Sequence, residues 1–245
     1  MIDLSQNARV RTITLNRPEK RNALNPEMCR RLVDAFDEAD ADIPVGVIVL
    51  AANGPAFCSG MDLSEPAEVD IHERLFTIIH RIRKPVIAAV HGAALAGGMG
   101  LVANAHIVVA RPDAHFALTE IRVGLWPALI FRAVEAAIGE RRAVELSLTG
   151  RGFNAADGLA YGLVTEVADD PLLRAQELAA KIADFSPVAL AHGLEYVHRT
   201  RGTDWEQAGR VAGEVRDLLS ASADFKEGSR AFLEKRQPSW PSLRD

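Results

Sequence analysis

Hydrophobic positions along the first two-thirds of the chain alternate between two periods. In Val10–Leu15, Ile13 and Leu15 share a face and the run closes on Asn16-Arg17-Pro18, which reads as a short strand. Asn25 precedes Pro26, a good N-cap ahead of a proline at the first helical position. Met28, Leu32, Phe36 and Ala39 follow at helical spacing, so the pattern predicts an amphipathic helix over 26–40. Val45–Leu50 is uninterrupted apolar sequence, short enough for a buried parallel strand. A helix is expected over 70–83, then a second buried strand at Val86–Val90 and a glycine-rich stretch over 92–100. Strands follow at 106–110 and 115–119. Alternation of this kind predicts an α/β core with crossover helices.

The last third changes character. Leu178, Ile182 and Phe185 mark one helix, and Ser186-Pro187 the cap and first position of the next. Ala208, Val211, Val215 and Leu218 mark a third, and Phe225 through Lys235 a fourth, with no strand between them. The chain therefore divides into a core over 1–190 and a helical C-terminal region over 191–245. Segments 62–70 and 200–205 are too short to act as linkers between domains.

Composition narrows the chemistry. Hydrophobic residues at 48% and charged residues at 25% of 245 suit a folded protein and exclude a disordered one. With a net charge of −5 there is no general attraction to nucleic acid or to an anionic membrane, so an anionic ligand must meet a local basic cluster. Two cysteines, Cys29 and Cys58, make no disulfide framework, and the scattered histidines form no HExxH; no metal site is expected. No apolar run reaches membrane-spanning length, and the N-terminus lacks the regions of a signal peptide. The expectation is a soluble cytoplasmic protein.

Three segments carry candidate chemistry. Phe57-Cys58-Ser59-Gly60-Met61-Asp62-Leu63 follows a buried strand and favours a turn with free backbone N–H groups. His91 through Gly100 follows the next strand and should open a helix, aiming free N–H groups and a positive dipole end at a ligand. Two such donors converging from separate loops make an oxyanion hole. Phe116-Ala117-Leu118-Thr119-Glu120 reads as a strand ending in a carboxylate. Gly98 through Ala103 also fits GxGxxA, with Glu120 placed 20 residues beyond Gly100 as a ribose-binding acid would be. Only about five residues then separate the motif from the next strand, too few for the crossover that a dinucleotide-binding unit needs. The GK[ST] signature of a phosphate-binding loop is absent.

Thr12-Ile13-Thr14-Leu15-Asn16-Arg17-Pro18-Glu19-Lys20-Arg21-Asn22-Ala23-Leu24-Asn25 resembles the opening segment of crotonases, the enoyl-CoA hydratase/isomerase family. The 57–63 and 86–100 segments resemble that family's two oxyanion-hole loops, in the same order and at the same distance. The likeness continues through Leu148-Thr149-Gly150-Arg151 and Ala160-Tyr161-Gly162-Leu163-Val164 to Phe232-Leu233-Glu234-Lys235-Arg236, nearly the whole chain. The resemblance implies a spiral core of repeated ββα units with a C-terminal helical appendage that serves oligomerisation and closure of the CoA site. It implies an acyl-CoA thioester substrate, no separate cofactor because coenzyme A is part of that substrate, and a homotrimer or hexamer. By the same resemblance the N–H groups of Met61 and Gly97 hold the thioester oxygen, and Glu120 is the acid/base. The substrate site would include Arg21, Ala23, Leu24, Ser59, Gly60, Asp62, Leu63, Gly98, Gly100 and Trp126, with Phe232 and Lys235 closing over the nucleotide, often from a neighbouring subunit.

One position departs from the family pattern. Resembling hydratases carry two glutamates; the second matches Glu120, and the first falls on Gly100, which has no side chain. Hydration takes a proton from water and gives one to carbon, which suits two groups, whereas moving a double bond from the 3 to the 2 position needs one base. Bulky Gly124-Leu125-Trp126-Pro127-Ala128-Leu129-Ile130 replaces a glycine-rich turn, as in some enoyl-CoA isomerases. Yet GGMGLV with ALTEIRVGL also resembles a subgroup that hydrates branched or carboxylated enoyl-CoAs, so isomerisation leads and hydration stays open. Apolar neighbours Phe116, Leu118 and Trp126 should raise the pKa of Glu120. Asp62, Glu65, Glu68 and Glu135 are candidates for a second acid, each reading first as a structural or solvated group. His91, His115 and Cys58 read as structural.

Overall fold

Strands that are apolar at every position must be covered on both faces, and two such runs lie at the centre of a parallel sheet. The structure, a computed structural model, describes residues 1–243. Its larger sheet is built from β1 (Ile2–Asn7), β2 (Val10–Leu15), β3 (Val47–Ala52), β4 (Val86–Val90), β6 (Ile107–Ala110) and β9 (Glu166–Val167). The strand order is β1-β2-β3-β4-β6-β9. Only the β1–β2 hairpin is antiparallel; the other four pairings are parallel.

Alternate residues serve the two faces. Val47, Val49, Ala51, Ile87, Ala89 and Val109 pack with Ala175, Ala179 and Ala183 of α7 (Pro171–Ala183). Ile48, Leu50, Val86, Ala88 and Val90 face the main core with Leu32 and Phe36 of α1 (Pro26–Ala41). Asn25 caps α1 as its sequence indicates, its side-chain oxygen accepting the Met28 N–H at 3.0 Å.

A second, smaller sheet was not legible in the sequence. It joins β5 (Ala93–Leu95), β7 (His115–Ala117) and β8 (Gly152–Asn154), and single bridges Cys58–Ala94 and Leu24–Met61 carry main-chain pairing onward to the N-terminal loop. Each turn of the chain thus lays a strand in the large sheet, then a short pairing in the small layer, then a helix. β3, the Cys58 bridge and α2 (Val69–Thr77) make one turn; β4, β5 and α3 (Gly97–Asn104) the next; β6, β7 and α4 (Ala128–Ile138) a third. This is the spiral of ββα units expected from the resemblance.

Several boundaries move. The helix expected over 70–83 ends at Thr77 and passes into a tighter turn, Ile78–His80. The strand expected over 115–119 stops at Ala117, so Glu120 does not end a strand; it opens a 3-10 turn, Glu120–Val123, closed by Gly124 at φ 77°. Beyond α5 (Glu140–Thr149), α6 (Ala155–Tyr161) and α7, the chain continues as α8 (Pro187–Thr200), α9 (Trp205–Ala221) and α10 (Ala223–Leu233). The division placed at 190 falls inside α8, and residues 244–245 of the C-terminal region lie outside the described residues. Among the described residues no helix is long and apolar enough to cross a membrane.

Asn22 fastens the N-terminal loop to this framework. Fully buried at φ 56°, it accepts the Arg17 N–H at 2.8 Å and donates to the carbonyls of Asn53 and Ala56, both at 2.9 Å. Asparagine tolerates left-handed backbone better than most residues, and its amide can serve all three groups. Replacing it leaves a buried N–H and two carbonyls unserved. Asn22→Ala should lose about 2–4 kcal/mol of stability, read as a lower urea midpoint with an unchanged slope; an unchanged midpoint would refute this role.

Candidate active site

The segment 57–62 is held by main-chain bonds on both sides. Cys58 N–H donates to Ala93 O at 3.0 Å and Leu95 N–H to Cys58 O at 2.9 Å. On the other side, Ser59 N–H donates to Arg21 O at 3.0 Å, Leu24 N–H to Gly60 O at 2.7 Å and Asp62 N–H to Leu24 O at 3.0 Å. Met61 sits between the last two, and its own N–H donates to no acceptor among the described residues. Gly60 adopts φ 97°, and a β-carbon there would lie 2.8 Å from the Ala96 β-carbon, so only glycine lets the two loops meet.

Gly97 is the first residue of α3, where an N–H has no intrahelical partner. None is supplied elsewhere among the described residues. Ala96 ahead of it holds φ 48° and ψ −120°, a conformation an alanine rarely adopts. Its N–H is anchored on Ala117 O at 2.8 Å, tying the start of the helix to the small sheet.

Met61, Gly97 and Glu120 line one cavity of about 280 Å³, together with Ser59, Leu63, Phe76, Thr119 and the stretch Val123 and Leu125–Ile130. Glu120 is the one ionisable side chain on its described wall. The Oε2 atom of this carboxylate is buried without a hydrogen-bond partner. Burial pushes the carboxyl pKa above its ordinary value, opposed by the residue's own backbone N–H. The apolar surroundings are partly those expected: Trp126 lines the wall, whereas Phe116 stacks on Phe153 in the core and, like Leu118, is absent from the wall, where Ile130 and Phe76 stand.

The other expected site residues separate into groups. Ser59, Leu63 and Trp126 line the cavity, and Gly60 supports it from behind. Leu24 and Ala23 are buried in the loop that pairs with 60–62, contributing backbone rather than cavity wall. Arg21 is exposed beside Ser59, as is Lys20, and neither forms an ion pair among the described residues. Gly98 does not face the cavity: a β-carbon there would lie 2.3 Å from Cys58 O, so its lack of side chain serves packing. Gly100 likewise faces protein, against Ile130 and Phe76. Phe232 and Lys235 lie elsewhere in this chain; Phe232 lines a separate groove between α9 and α10, and Lys235 follows the end of α10 at φ 54°.

None of the candidates for a second acid reaches the cavity. Asp62 accepts from Ser64 N–H and Oγ and from Arg17 Nη1 at 2.6 Å, and these bonds hold its pKa down at about 2. Glu65 accepts from Asn25 at 2.8 Å, Glu68 from Arg30 at 2.7 Å, and Glu135 pairs with Arg132. His91 bonds Gly54 O at 2.9 Å, and His115 is exposed beside Gly152. Burial pushes the Cys58 thiol up to about 12, which suits a packing residue and not a nucleophile. A second cavity, of about 300 Å³, lies between α1, Lys84 and α8, and its Lys84 ammonium is committed to the carbonyls of Ala39 and Asp42.

The bulky stretch 124–130 stood out in the sequence, but of the wall from Val123 to Ile130 only Trp126 was expected in the site, and Phe76 was not expected there. Their signal was present: apolar residues cluster immediately after Glu120, but the same spacing also marks a helix packed in a core.

Comparison with known proteins fits this arrangement. The enoyl-CoA hydratase/isomerase family model matches residues 5–243, and the chain belongs to that family. It is 34% identical to the 2,3-dehydroadipyl-CoA hydratase of Escherichia coli over 97% of both chains. Among solved structures, it superposes on an enoyl-CoA hydratase of Mycobacterium smegmatis with a TM-score of 0.91, at 36% identity and 98% coverage of each. An enoyl-CoA hydratase of Bacillus anthracis gives a TM-score of 0.93 at 29% identity, covering 98% of this chain and 99% of that one.

Two substitutions probe the strain and the electrostatics. Glycine at position 96 relieves a conformation that costs alanine roughly 1–3 kcal/mol and gives back less than that in chain entropy. Ala96→Gly should therefore raise stability by about 1 kcal/mol in urea denaturation; destabilisation would show that the alanine is unstrained. For Glu120 the folded protein binds the proton more tightly than the unfolded chain, so its contribution is favourable below the unfolded pKa and is lost as pH rises through the folded one. Glu120→Gln should raise Tm at neutral pH, with the advantage vanishing in acid; an advantage that grew in acid would contradict the raised pKa.

Proposed function

We propose that the protein is an enoyl-CoA isomerase that moves a 3,4 double bond of an acyl-CoA thioester to the 2,3 position. The observation that carries this reading is the solitary carboxylate: among the described residues Glu120 is the one ionisable group on a wall that is otherwise apolar or neutral. The Glu120 carboxylate takes a proton from C2, the electrons of that bond pass into the conjugated system, and negative charge builds on the thioester oxygen. The free N–H groups of Met61 and Gly97 are the donors for that oxygen, and preorganised donors of this kind lower the barrier by stabilising the dienolate. Glu120 then returns the proton to C4, leaving the conjugated 2-enoyl thioester. A carboxylate whose pKa is raised by burial is a stronger base for the first step and is readily reprotonated by its own substrate.

The substrate carries its own coenzyme A, and no resident cofactor enters the reaction. Exposed Lys20 and Arg21 stand next to Ser59 at the rim, the local positive charge that an acidic chain needs for a phosphorylated ligand. Phe232 and Lys235 are assigned to closing a neighbouring subunit's nucleotide site in a homotrimer or hexamer. The described residues of the wall include no cation, which favours an uncharged acyl group over one with a terminal carboxylate.

Hydration of a 2-enoyl-CoA is the second reading, favoured by the similarity to the 2,3-dehydroadipyl-CoA hydratase of Escherichia coli. The two separate in one assay. With 3-enoyl-CoA, isomerisation raises the absorbance of the conjugated thioester; with 2-enoyl-CoA, hydration lowers it. The expected result is a rise with the first and no fall with the second. The kcat/KM for isomerisation should increase with pH as Glu120 ionises, with a midpoint above the ordinary carboxylate range. Glu120→Gln should cost roughly a thousandfold; near-native turnover by that variant would refute the assignment.

A further inference from the structure

Gly100 has no side chain, and the space beside its α-carbon is occupied. A β-carbon at Gly100 would lie 2.3 Å from Ile130 Cγ2, 2.8 Å from Ile130 Cβ and 3.2 Å from Phe76 Cε1. Ile130 and Phe76 are themselves buried, at 2% and 4% exposure, and both line the cavity that holds Glu120. The backbone of Gly100 offers nothing either: its N–H donates to Ala96 O at 3.0 Å and its carbonyl accepts from Asn104 Nδ2 at 2.9 Å.

We infer that Ile130 is a water-excluding plug that determines the reaction outcome, its Cγ2 methyl filling the space through which a second acid/base group or a water would reach the substrate. The inference rests on the reading of Glu120 as the sole acid/base and extends it. A proton transferred from C2 to Glu120 has one productive destination, C4, if no water can approach the carboxyl group or attack C3. An aliphatic wall supplies that condition, because a buried water needs polar partners that a methyl group does not offer. Ile130 acts by occupying space and touches no proton; it is a specificity-determining residue. Its position is fixed at the start of α4, where its N–H donates to Pro127 O at 3.1 Å.

The first test follows the proton. Substrate 3-enoyl-CoA with protium at C2 is turned over in D2O, and deuterium at C4 of the product is read by mass spectrometry. Wild type should return mainly protium. Ile130→Val retains the Cγ2 methyl and should do the same, whereas Ile130→Ala loses it and should raise the deuterium fraction several-fold. Full labelling by the wild type, or equal labelling by wild type and Ile130→Ala, would overturn the plug.

The second test asks for the other reaction and needs no isomerase activity. In hydration an introduced carboxylate at position 100 would take a proton from water as the hydroxyl adds to C3, while Glu120 gives its proton to C2. Gly100→Glu alone should not hydrate 2-enoyl-CoA, because Ile130 blocks the new side chain. Gly100→Glu combined with Ile130→Ala should hydrate about a hundredfold faster than the single variant. Equal rates in the two would overturn the inference. Thermal melting establishes that both variants are folded, and if the pair is not, the isotope test with Ile130→Ala decides. Failure of the wild type to isomerise would sink the underlying reading without touching the comparison at positions 100 and 130.

Discussion

Everything at the site depends on a run of main-chain pairing that crosses the small layer. Leu24 pairs with Met61, Cys58 with Ala94, and Ala94 with Phe116, so four segments remote in sequence are held in register by hydrogen bonds alone. Because Leu24 takes the carbonyl before Met61 and the amide after it, the Met61 N–H is left to face the other way. Because Ala96 is tied to Ala117, α3 starts where the Gly97 N–H is free beside it. Glu120 follows three residues after the last paired strand, so its carboxyl inherits the same register.

Such a frame holds groups in states they would not choose. Among the described residues a carboxyl oxygen is buried without a partner, two amides are left unbonded, and an alanine sits in left-handed backbone. Each is unfavourable by itself and persists because the surroundings over-determine it. The large sheet supplies that rigidity through covered apolar faces, while Asn22 and the Arg17–Asp62 pair bind the N-terminal loop to the 53–62 segment. The charged side chains of Arg17, Asp62 and Glu65 are occupied in holding loops, and Glu120 is the ionisable side chain that the described cavity wall leaves for chemistry.

Much of the fold was readable from period and punctuation. The helix expected over 26–40 is Pro26–Ala41 and the strand at Val86–Val90 has those limits, because strong caps and uninterrupted apolar runs are local signals. The three-residue strand Ala93–Leu95 was hidden, since its pairing partners lie far away in sequence and its own residues look like a turn. The resemblance named Met61, Gly97 and Glu120, which do share a cavity, but it also named Gly98, whose neighbour is Cys58 backbone. It named Phe232 and Lys235 too, and these lie away from the cavity in this chain, Phe232 in a groove of its own and Lys235 beyond the end of α10. What neither period nor motif could reveal was which side chain fills an absence, because that depends on how α3 and α4 cross.

The contact between Gly100 and Ile130 also constrains how such a chain can change over generations. A carboxylate gained at position 100 collides with the isoleucine, and an isoleucine lost at 130 opens a void in a close-packed wall. Either single step is worse than the starting point, and only the two together lead to a different arrangement of acid and base. The two positions are therefore coupled by packing, and a change at one is tolerated only with a change at the other. What can be altered at this wall is thus a linked pair of residues from two helices, not one position at a time.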